Sequence, residues 1–421
     1  MVYGAVELTQ VVEMLIKEPA QRQVISNILS LFVLKGIDVL VPLLVAPFLI
    51  KVVGIEKFGL IAFSLAFAAY FSAAINYGFN ITASRDIARC RHDANQVAWI
   101  YSHILASVVI LSFGCALAAA GVVYFFPRLY EESWLFFGAF TLVIMQSALP
   151  VWLFIGYEKM AFIGGLSAAS KVLYIGSLFL LIRTEQDYVY VNIINAVSAA
   201  VVLVAALFLI RYSFGVRFVS ITLSGVITSL KGGWSVFVMQ LSPVLYNNSS
   251  VFVLGATFPP SVVGVYSAAM RVAEVATTGG RLLANAFLPY IAVDIDRHEA
   301  FSKFMIFVGG MVGGVIFVFS SAIAELLFSE GEELISYCLK WFSFGVFFAF
   351  LYLTYSQNYL PLVSKERVVA KMTFVVSVLG LLLLVIFIPL FGLTAAVSVF
   401  VISRFVLAIL SVTFYVKSHA K

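Results

Sequence analysis

The sequence predicts an all-α membrane protein in which twelve transmembrane helices form two pseudo-symmetric six-helix bundles around a central cavity. Three observations support this prediction. Of the 421 residues, 62% are hydrophobic and only 11% are charged, whereas soluble chains carry about 25% charged residues. Apolar stretches of about 20 residues, the length that crosses a bilayer, recur along the whole chain. Short motifs of the first half return in the second half in the same order.

Twelve stretches are long and apolar enough to be transmembrane helices, which places both termini on the same side of the membrane. The predicted spans are 27–50, 59–80, 99–124, 135–155, 162–182, 189–210, 232–254, 262–290, 304–328, 336–360, 372–389 and 393–416.

The basic residues orient these spans, because Lys and Arg favour the cytoplasmic side of a membrane. The tails and the even-numbered connections hold 16 of the 26 basic residues, and the odd-numbered connections hold 4. Both termini are therefore predicted to be cytoplasmic. The predicted parts are an N-terminal tail 1–26, a first bundle 27–210, a cytoplasmic linker 211–231, a second bundle 232–416 and a C-terminal tail 417–421.

The connections between spans are short, and the longest cytoplasmic ones are 81–98 and 211–231. None could bury a core of its own, which argues against a glycan polymerase or ligase with a catalytic domain outside the membrane. The three cysteines and four histidines are scattered, without the spacing of a disulfide framework or a metal centre. We therefore expect no cofactor and no nucleic-acid partner.

An internal repeat is suggested by motifs in matching positions of the two halves. LKGIDV (34–39) corresponds to LKGGWSV (230–236), and GIEKFGLIAFS (54–64) corresponds to GATFPPSVVGVYS (255–267). Transporters built from two parallel six-helix repeats bind their substrate between the halves. The alternative is chance similarity in a chain of strongly biased composition.

Charged residues lie deep inside the predicted spans, although each costs about 2.5–3.5 kcal/mol on insertion scales. They are therefore expected to face a partner or a wet cavity. Lys35 and Asp38 are three residues apart and could form an ion pair with each other. Lys171 and Arg404 stand alone in their spans, where each either lines the cavity or finds a distant partner. The deep cations are Lys35, Lys171, Arg271, Arg281 and Arg404, and the deep anions are Asp38 and Glu274.

Span 262–290 carries a continuous polar stripe. At 100° per residue its polar side chains fall within an arc of about 80°, so they face the interior, either to line a cavity or to pack against other polar helices. Asn76 and Asn247 lie on milder stripes of other spans, where a substrate contact and a helix–helix hydrogen bond are equally consistent with the pattern. The stripe consists of Ser267, Arg271, Glu274, Thr278, Arg281 and Asn285.

The surplus of deep cations favours an anionic substrate. Phosphate and diphosphate groups are the obvious candidates, because arginine binds them through paired donors. A pump for cationic drugs would instead need surplus carboxylates.

Two long segments resemble one known family. PLLVAPFLIKVVGIEKFGLIAFSLAFAAYFSAAINYGFNITASRDIA (42–88) is similar to the start of Wzx-type O-antigen flippases, which belong to the multidrug/oligosaccharidyl-lipid/polysaccharide (MOP) exporter superfamily. LYNNSSVFVLGATFPPSVVGVYSAAMRVAEV (245–275) and LPYIA (288–292) resemble parts of the second half of these proteins. The family often has a basic residue at the position of Arg271, in the context YSAA–x–R.

The resemblance implies a function and partners. It implies two six-helix bundles that form a V, and alternating access with possible coupling to a proton or sodium gradient. The cargo would be an undecaprenyl-diphosphate-linked oligosaccharide repeat unit, moved from the cytoplasmic to the periplasmic leaflet of the bacterial inner membrane. Membrane lipids, an O-antigen polymerase and a chain-length regulator would be its partners. The alternatives are another lipid-linked glycan (capsule, enterobacterial common antigen or peptidoglycan precursor) and a drug or cation antiporter of the same superfamily.

The resulting site hypothesis assigns the diphosphate to Arg271, Arg281 and Lys35. Asp38 and Glu274 would orient these cations or exchange a proton. Arg85, in the first long cytoplasmic connection, either draws the headgroup in or anchors that connection by its charge. The remaining candidates for substrate contacts are Asn76, Asn247, Lys171 and Arg404.

Overall fold

A computed structural model describes the backbone of residues 19–419. Side chains are described at Gly36 and from Leu40 to Ser418, except at six positions between 235 and 247. The predicted site side chains of Lys35, Asp38 and Asn247 lie outside the described residues.

The first half of the chain begins with one long bent helix. Helix α1 bends at Gly54, whose φ of 82° and ψ of 161° are not helical. It therefore contains the first predicted span, 27–50, and the second, 59–80, up to its end at Asn76. Pro150 separates α5 from α6 within the fourth predicted span. The helices are α1 (Pro19–Asn76), α2 (Phe79–Cys90), α3 (Ala94–Phe125), α4 (Pro127–Glu131), α5 (Ser133–Ala148), α6 (Val151–Gly156), α7 (Met160–Leu181), a 3₁₀ turn (Glu185–Val189) and α8 (Tyr190–Ser213).

The second half also consists mainly of long helices. A π-helical segment, Leu353–Tyr359, interrupts the tenth predicted span. The helices are α9 (Leu223–Thr257), α10 (Pro260–Val293), α11 (Arg297–Val318), α12 (Ser320–Leu327), α13 (Glu332–Tyr352), α14 (Leu360–Leu362), α15 (Glu366–Phe391) and α16 (Leu393–His419).

The described residues confirm the all-α membrane class. They form helices without any strand, and nine of their helical segments are long and apolar enough to cross a membrane. Helices α9 and α10, with 35 and 34 residues, also exceed the length of a span. Because α1 holds two spans in 58 residues, these helix bounds are consistent with twelve crossings.

The two halves meet through α1, α9 and α10, and the most extensive helix–helix contact joins α1 to α10. Helix α9 also runs along α1. Tyr70 Oη lies 3.0 Å from Ser249 Oγ, and the rings of Tyr77 and Phe237 stack at 5.0 Å. These three helices therefore place a boundary between the halves in the middle of the molecule.

The linker between the halves, residues 214–222, is attached to the first half by α3. The Ser102 hydroxyl accepts a hydrogen bond from the Val219 N–H at 2.9 Å. His103 is fully buried; its Nδ1 contacts the Trp99 carbonyl at 2.8 Å, and its Nε2 accepts from the Thr222 N–H at 3.2 Å. The start of α9 is thereby fixed to the first half.

Candidate functional site

A cavity of about 80 Å³ lies at the boundary between the halves. We call it the central cavity. Small apolar side chains of α1 form one wall, and α9 and α10 supply the polar groups. The volume holds only a few water molecules, so an oligosaccharide could enter only after the halves rearrange. The lining residues are Ala62, Leu65, Ala66, Asn248, Val251, Ser267, Met270, Arg271 and Glu274.

The charged centre of the cavity is an ion pair on α10. Arg271 Nη1 donates to Glu274 Oε2 at 2.9 Å, and the two side chains are 30% and 47% exposed. The pair forms because residues three apart on a helix are neighbours on one face. The sequence placed both residues on an interior-facing polar stripe, and the structure places both in the lining of the central cavity.

Two neutral polar residues of the central cavity were not among the predicted site residues. Ser267 is 3% exposed, and its hydroxyl has no hydrogen-bond partner among the described residues. The Asn248 amide nitrogen donates to the Val244 carbonyl of its own helix at 3.3 Å. Ser267 belongs to the predicted polar stripe, one turn before Arg271. This position is the sequence feature that could have identified it as a site residue. The sequence gives no reason to prefer Asn248 as a lining residue over its neighbour Asn247, which was the predicted site residue.

Helix α7 passes close to the cavity, although it supplies none of the lining residues. Its buried Tyr174 lies near Arg271. Lys171 lies one turn earlier on the same helix, half-buried and engaged with a partner. The predicted cation Lys171 is therefore on a helix that approaches the site.

Arg281 continues the polar stripe beyond the cavity. Helix α10 is unbroken from Pro260 to Val293, so ten residues separate Arg271 from Arg281 by about 15 Å along the axis. Arg281 is exposed, and among the described residues it forms no salt bridge. The two arginines therefore lie at different levels of the polar stripe, and only Arg271 lines the central cavity.

Three other predicted site residues lie away from the central cavity. The Asn76 amide donates to the Ser72 carbonyl at 2.9 Å and to Ser147 Oγ at 3.0 Å, which matches the helix–helix alternative. Arg85 is 54% exposed and pairs with its neighbour Asp86 at 3.0 Å. Arg404 stacks its guanidinium on the Phe400 ring at 3.5 Å and lines a separate, much smaller pocket between α9, α15 and α16.

Close to the central cavity, the halves touch at the end of the bundle that the charge distribution predicts to be periplasmic. We call this the outer-end contact; it comprises Ile55, Gly59, Pro260, Gly264 and Glu330. A β-carbon on Gly59 would overlap the Pro260 carbonyl, and one on Gly264 would overlap the Ile55 carbonyl. Glu330 Oε2 accepts from the Ile55 N–H at 2.8 Å, a backbone donor beside the bend at Gly54.

The fold matches solved membrane transporters. The lipid II flippase MurJ in an inward closed conformation superimposes with a TM-score of 0.68 at 16% identity, covering 93% of this chain and 87% of that chain. A multidrug resistance MATE family transporter of the MOP superfamily, in an inward-facing conformation, gives 0.67 at 15% identity, with 91% and 94% covered. The chain therefore has the fold of these exporters.

The sequence places the chain more narrowly. A family model described as polysaccharide biosynthesis protein matches residues 24–293, which is more than half of the chain, so this protein belongs to that family. A relative from Escherichia coli (strain K12) named "Putative O-antigen transporter" is 27% identical over 243 residues. That match spans 58% of this chain and 59% of the relative.

Proposed function

We propose that this protein is a flippase for lipid-linked O-antigen repeat units, with undecaprenyl diphosphate as the lipid carrier. It would move the unit from the cytoplasmic to the periplasmic leaflet of the bacterial inner membrane, with both termini in the cytoplasm. An O-antigen polymerase and its chain-length regulator would receive the product. Family membership and the name of the Escherichia coli relative support this proposal.

The observation that carries the proposal is the position of Arg271. Its guanidinium lies in a cavity that joins α1 of the first half to α9 and α10 of the second, and two-repeat transporters bind their substrate between the halves. A guanidinium binds phosphate oxygens through two parallel hydrogen bonds. Arg271 would hold the diphosphate, and Arg281, about 15 Å along the same helix, would meet it earlier or later on the path.

The small size of the central cavity supports transport by alternating access. About 80 Å³ admits no sugar unit, and the outer-end contact closes one end of the boundary between the halves. The cargo would therefore enter from the opposite, cytoplasmic end after α10 moves away from α1. The lipid tail would stay in the bilayer beside this opening.

Deletion and complementation in the native host test the proposal. Deletion should remove the O-antigen ladder from a lipopolysaccharide gel and leave undecaprenyl-diphosphate-linked units in the lipid extract. Arg271→Ala should fail to restore the ladder although the protein is inserted, because one lost charged contact to a phosphate weakens binding by about 10- to 100-fold.

Arg367→Ala is the matched control, since Arg367 is an exposed arginine on α15 outside the central cavity; it should complement fully. An intact ladder in a deletion host without a second flippase would contradict the flippase assignment. Normal complementation by Arg271→Ala would contradict the role of Arg271 and leave the flippase assignment in place.

A further inference from the structure

The outer-end contact is reciprocal between the two halves. Gly59 of α1 packs against the Pro260 carbonyl, and Gly264 of α10 packs against the Ile55 carbonyl. Pro260 lies four residues before Gly264, and Ile55 lies four residues before Gly59, so each helix presents the same spacing to the other. Both helical segments start in the stretches that suggested the internal repeat. The halves therefore meet at the outer end around an approximate two-fold axis.

The second half reaches the first half with Glu330. This residue lies between α12 and α13, in the connection that follows the third predicted span of its half. Its carboxylate accepts a hydrogen bond from the Ile55 N–H at 2.8 Å. The next residue, Gly331, has a φ of 71°, and a side chain there would overlap the Ile55 side chain. Glycine at this position lets the connection lie directly against Ile55.

The first half reaches the second half from the equivalent connection. Arg128 lies in α4, after the third predicted span of the first half, and the neighbouring Leu129 is buried. Nη2 of Arg128 donates to the Phe258 carbonyl, between α9 and α10. The position that corresponds to Ile55 is Pro260, which has no N–H. A carboxylate would find no donor at Pro260, whereas an arginine finds an acceptor two residues earlier.

We propose that these two contacts are reciprocal latches, Arg128 on Phe258 and Glu330 on Ile55, which must both release before the outer end can open. Each latch joins a connection of one half to the backbone of the other, so separation of the halves breaks both hydrogen bonds. The latches share no partner, so their free energies should add and their effects on the opening equilibrium should multiply. The proposal rests on the alternating access of the proposed function and does not depend on the cargo.

The chemistry of the latches suits a contact that opens reversibly. Arg128 and Glu330 are both exposed, so water hydrates each charge as soon as its latch releases, and opening leaves no buried charge behind. A hydrogen bond to a charged group is also stronger than one between neutral groups. Each latch can therefore favour the closed outer end without the cost of burying an ion.

Cysteine labelling of the purified full chain measures opening of the outer end. Val265 is buried beside Gly331. In a variant without the three native cysteines, the reaction rate of Val265→Cys with a maleimide reports how often this end opens. Arg128→Ala should raise the rate about 3- to 10-fold, as expected for the loss of one hydrogen bond to a charged group. The double variant Arg128→Ala/Glu330→Ala should raise it about 10- to 100-fold.

Two controls separate release of a latch from other effects. Arg183 is an exposed arginine at the same end, and it donates to the Leu180 carbonyl within its own half, so Arg183→Ala should be labelled at the parent rate. Val226 is buried at the end that the charge distribution predicts to be cytoplasmic. A cysteine placed there instead of at Val265 should react at the same rate in every variant.

Three results would overturn the proposal. An Arg128→Ala rate equal to that of Arg183→Ala would remove the Arg128 latch. A double variant no faster than the faster single variant would show that the two contacts do not act as separate latches. Faster labelling at Val226 in the latch variants would show that the whole fold has loosened. No cargo takes part in these measurements, so each of these results leaves the flippase assignment in place.

Discussion

The outer-end contact and the central cavity lie next to each other on α10, since Gly264 belongs to the first and Ser267 to the second. At the outer-end contact, backbone touches backbone and glycines leave no space for a side chain. Three residues further along, the same helix faces α1 across a cavity. This cavity holds an ion pair and the Ser267 hydroxyl, which has no partner among the residues that the structure describes.

In the proposed transport cycle, one boundary would both seal the protein and bind the substrate. Close packing is sensitive to a single added methyl group. The central cavity leaves room for α10 to move, because α1 faces it only with the apolar side chains of Ala62, Leu65 and Ala66. A rotation of α10 that separates Gly264 from Ile55 would also move Arg271, so opening of the seal and reshaping of the site are coupled through one rigid helix.

The largest effect is expected from a side chain placed in the outer-end contact. Gly264→Val should abolish restoration of the O-antigen ladder, because its β-carbon overlaps the Ile55 carbonyl and overpacking costs about 1–3 kcal/mol or more. Gly279→Val is the control on the same helix, since a β-carbon at Gly279 meets no atom. Equal activity of the two variants would show that the outer-end contact does not need to form during transport.

Sequence reasoning found the membrane class, the span positions and the polar stripe of α10, because hydropathy and the helical period are local properties. The outer-end contact depends on which helices meet, and neither Gly59 nor Gly264 carries any local sign of its partner. Asn76 illustrates the same limit. Its pattern allowed a substrate contact, but only the approach of Ser147 from α5 reveals where its amide donates.

A smaller effect is expected at Glu330, whose carboxylate bridges the halves at the bend of α1. Glu330→Ala removes the acceptor for the Ile55 N–H and should shift the equilibrium towards opening of the outer end by about 3- to 10-fold. In a variant without the three native cysteines, a cysteine at Val265 should then react faster with a membrane-impermeant maleimide applied from outside.

Glu333→Ala supplies the control for this experiment, because it removes an exposed carboxylate in the following helix. Labelling that is equally fast in both variants would show that Glu330 does not hold the end closed. Labelling only from the cytoplasmic side would reverse the predicted orientation of the chain.

The attachment of the linker should affect stability more than transport. His103→Ala leaves the Thr222 N–H without its acceptor and opens a cavity beside Gly225, which together cost about 1–3 kcal/mol. The melting temperature of the detergent-solubilised protein should fall by a few degrees. His92→Ala, at an exposed histidine between α2 and α3, should leave it unchanged. Identical melting of both variants would rule out a stabilising role for the attachment.

The smallest effect is expected for Arg85, which lies outside the central cavity. Its guanidinium is 54% exposed and already paired with Asp86, and exposed ion pairs contribute about 0–1 kcal/mol. Arg85→Ala should therefore lower the amount of O-antigen ladder by less than about 2-fold. Complementation with matched protein levels measures this. A loss as large as that of Arg271→Ala would instead place the first contact with the headgroup on α2, before the substrate reaches the boundary between the halves.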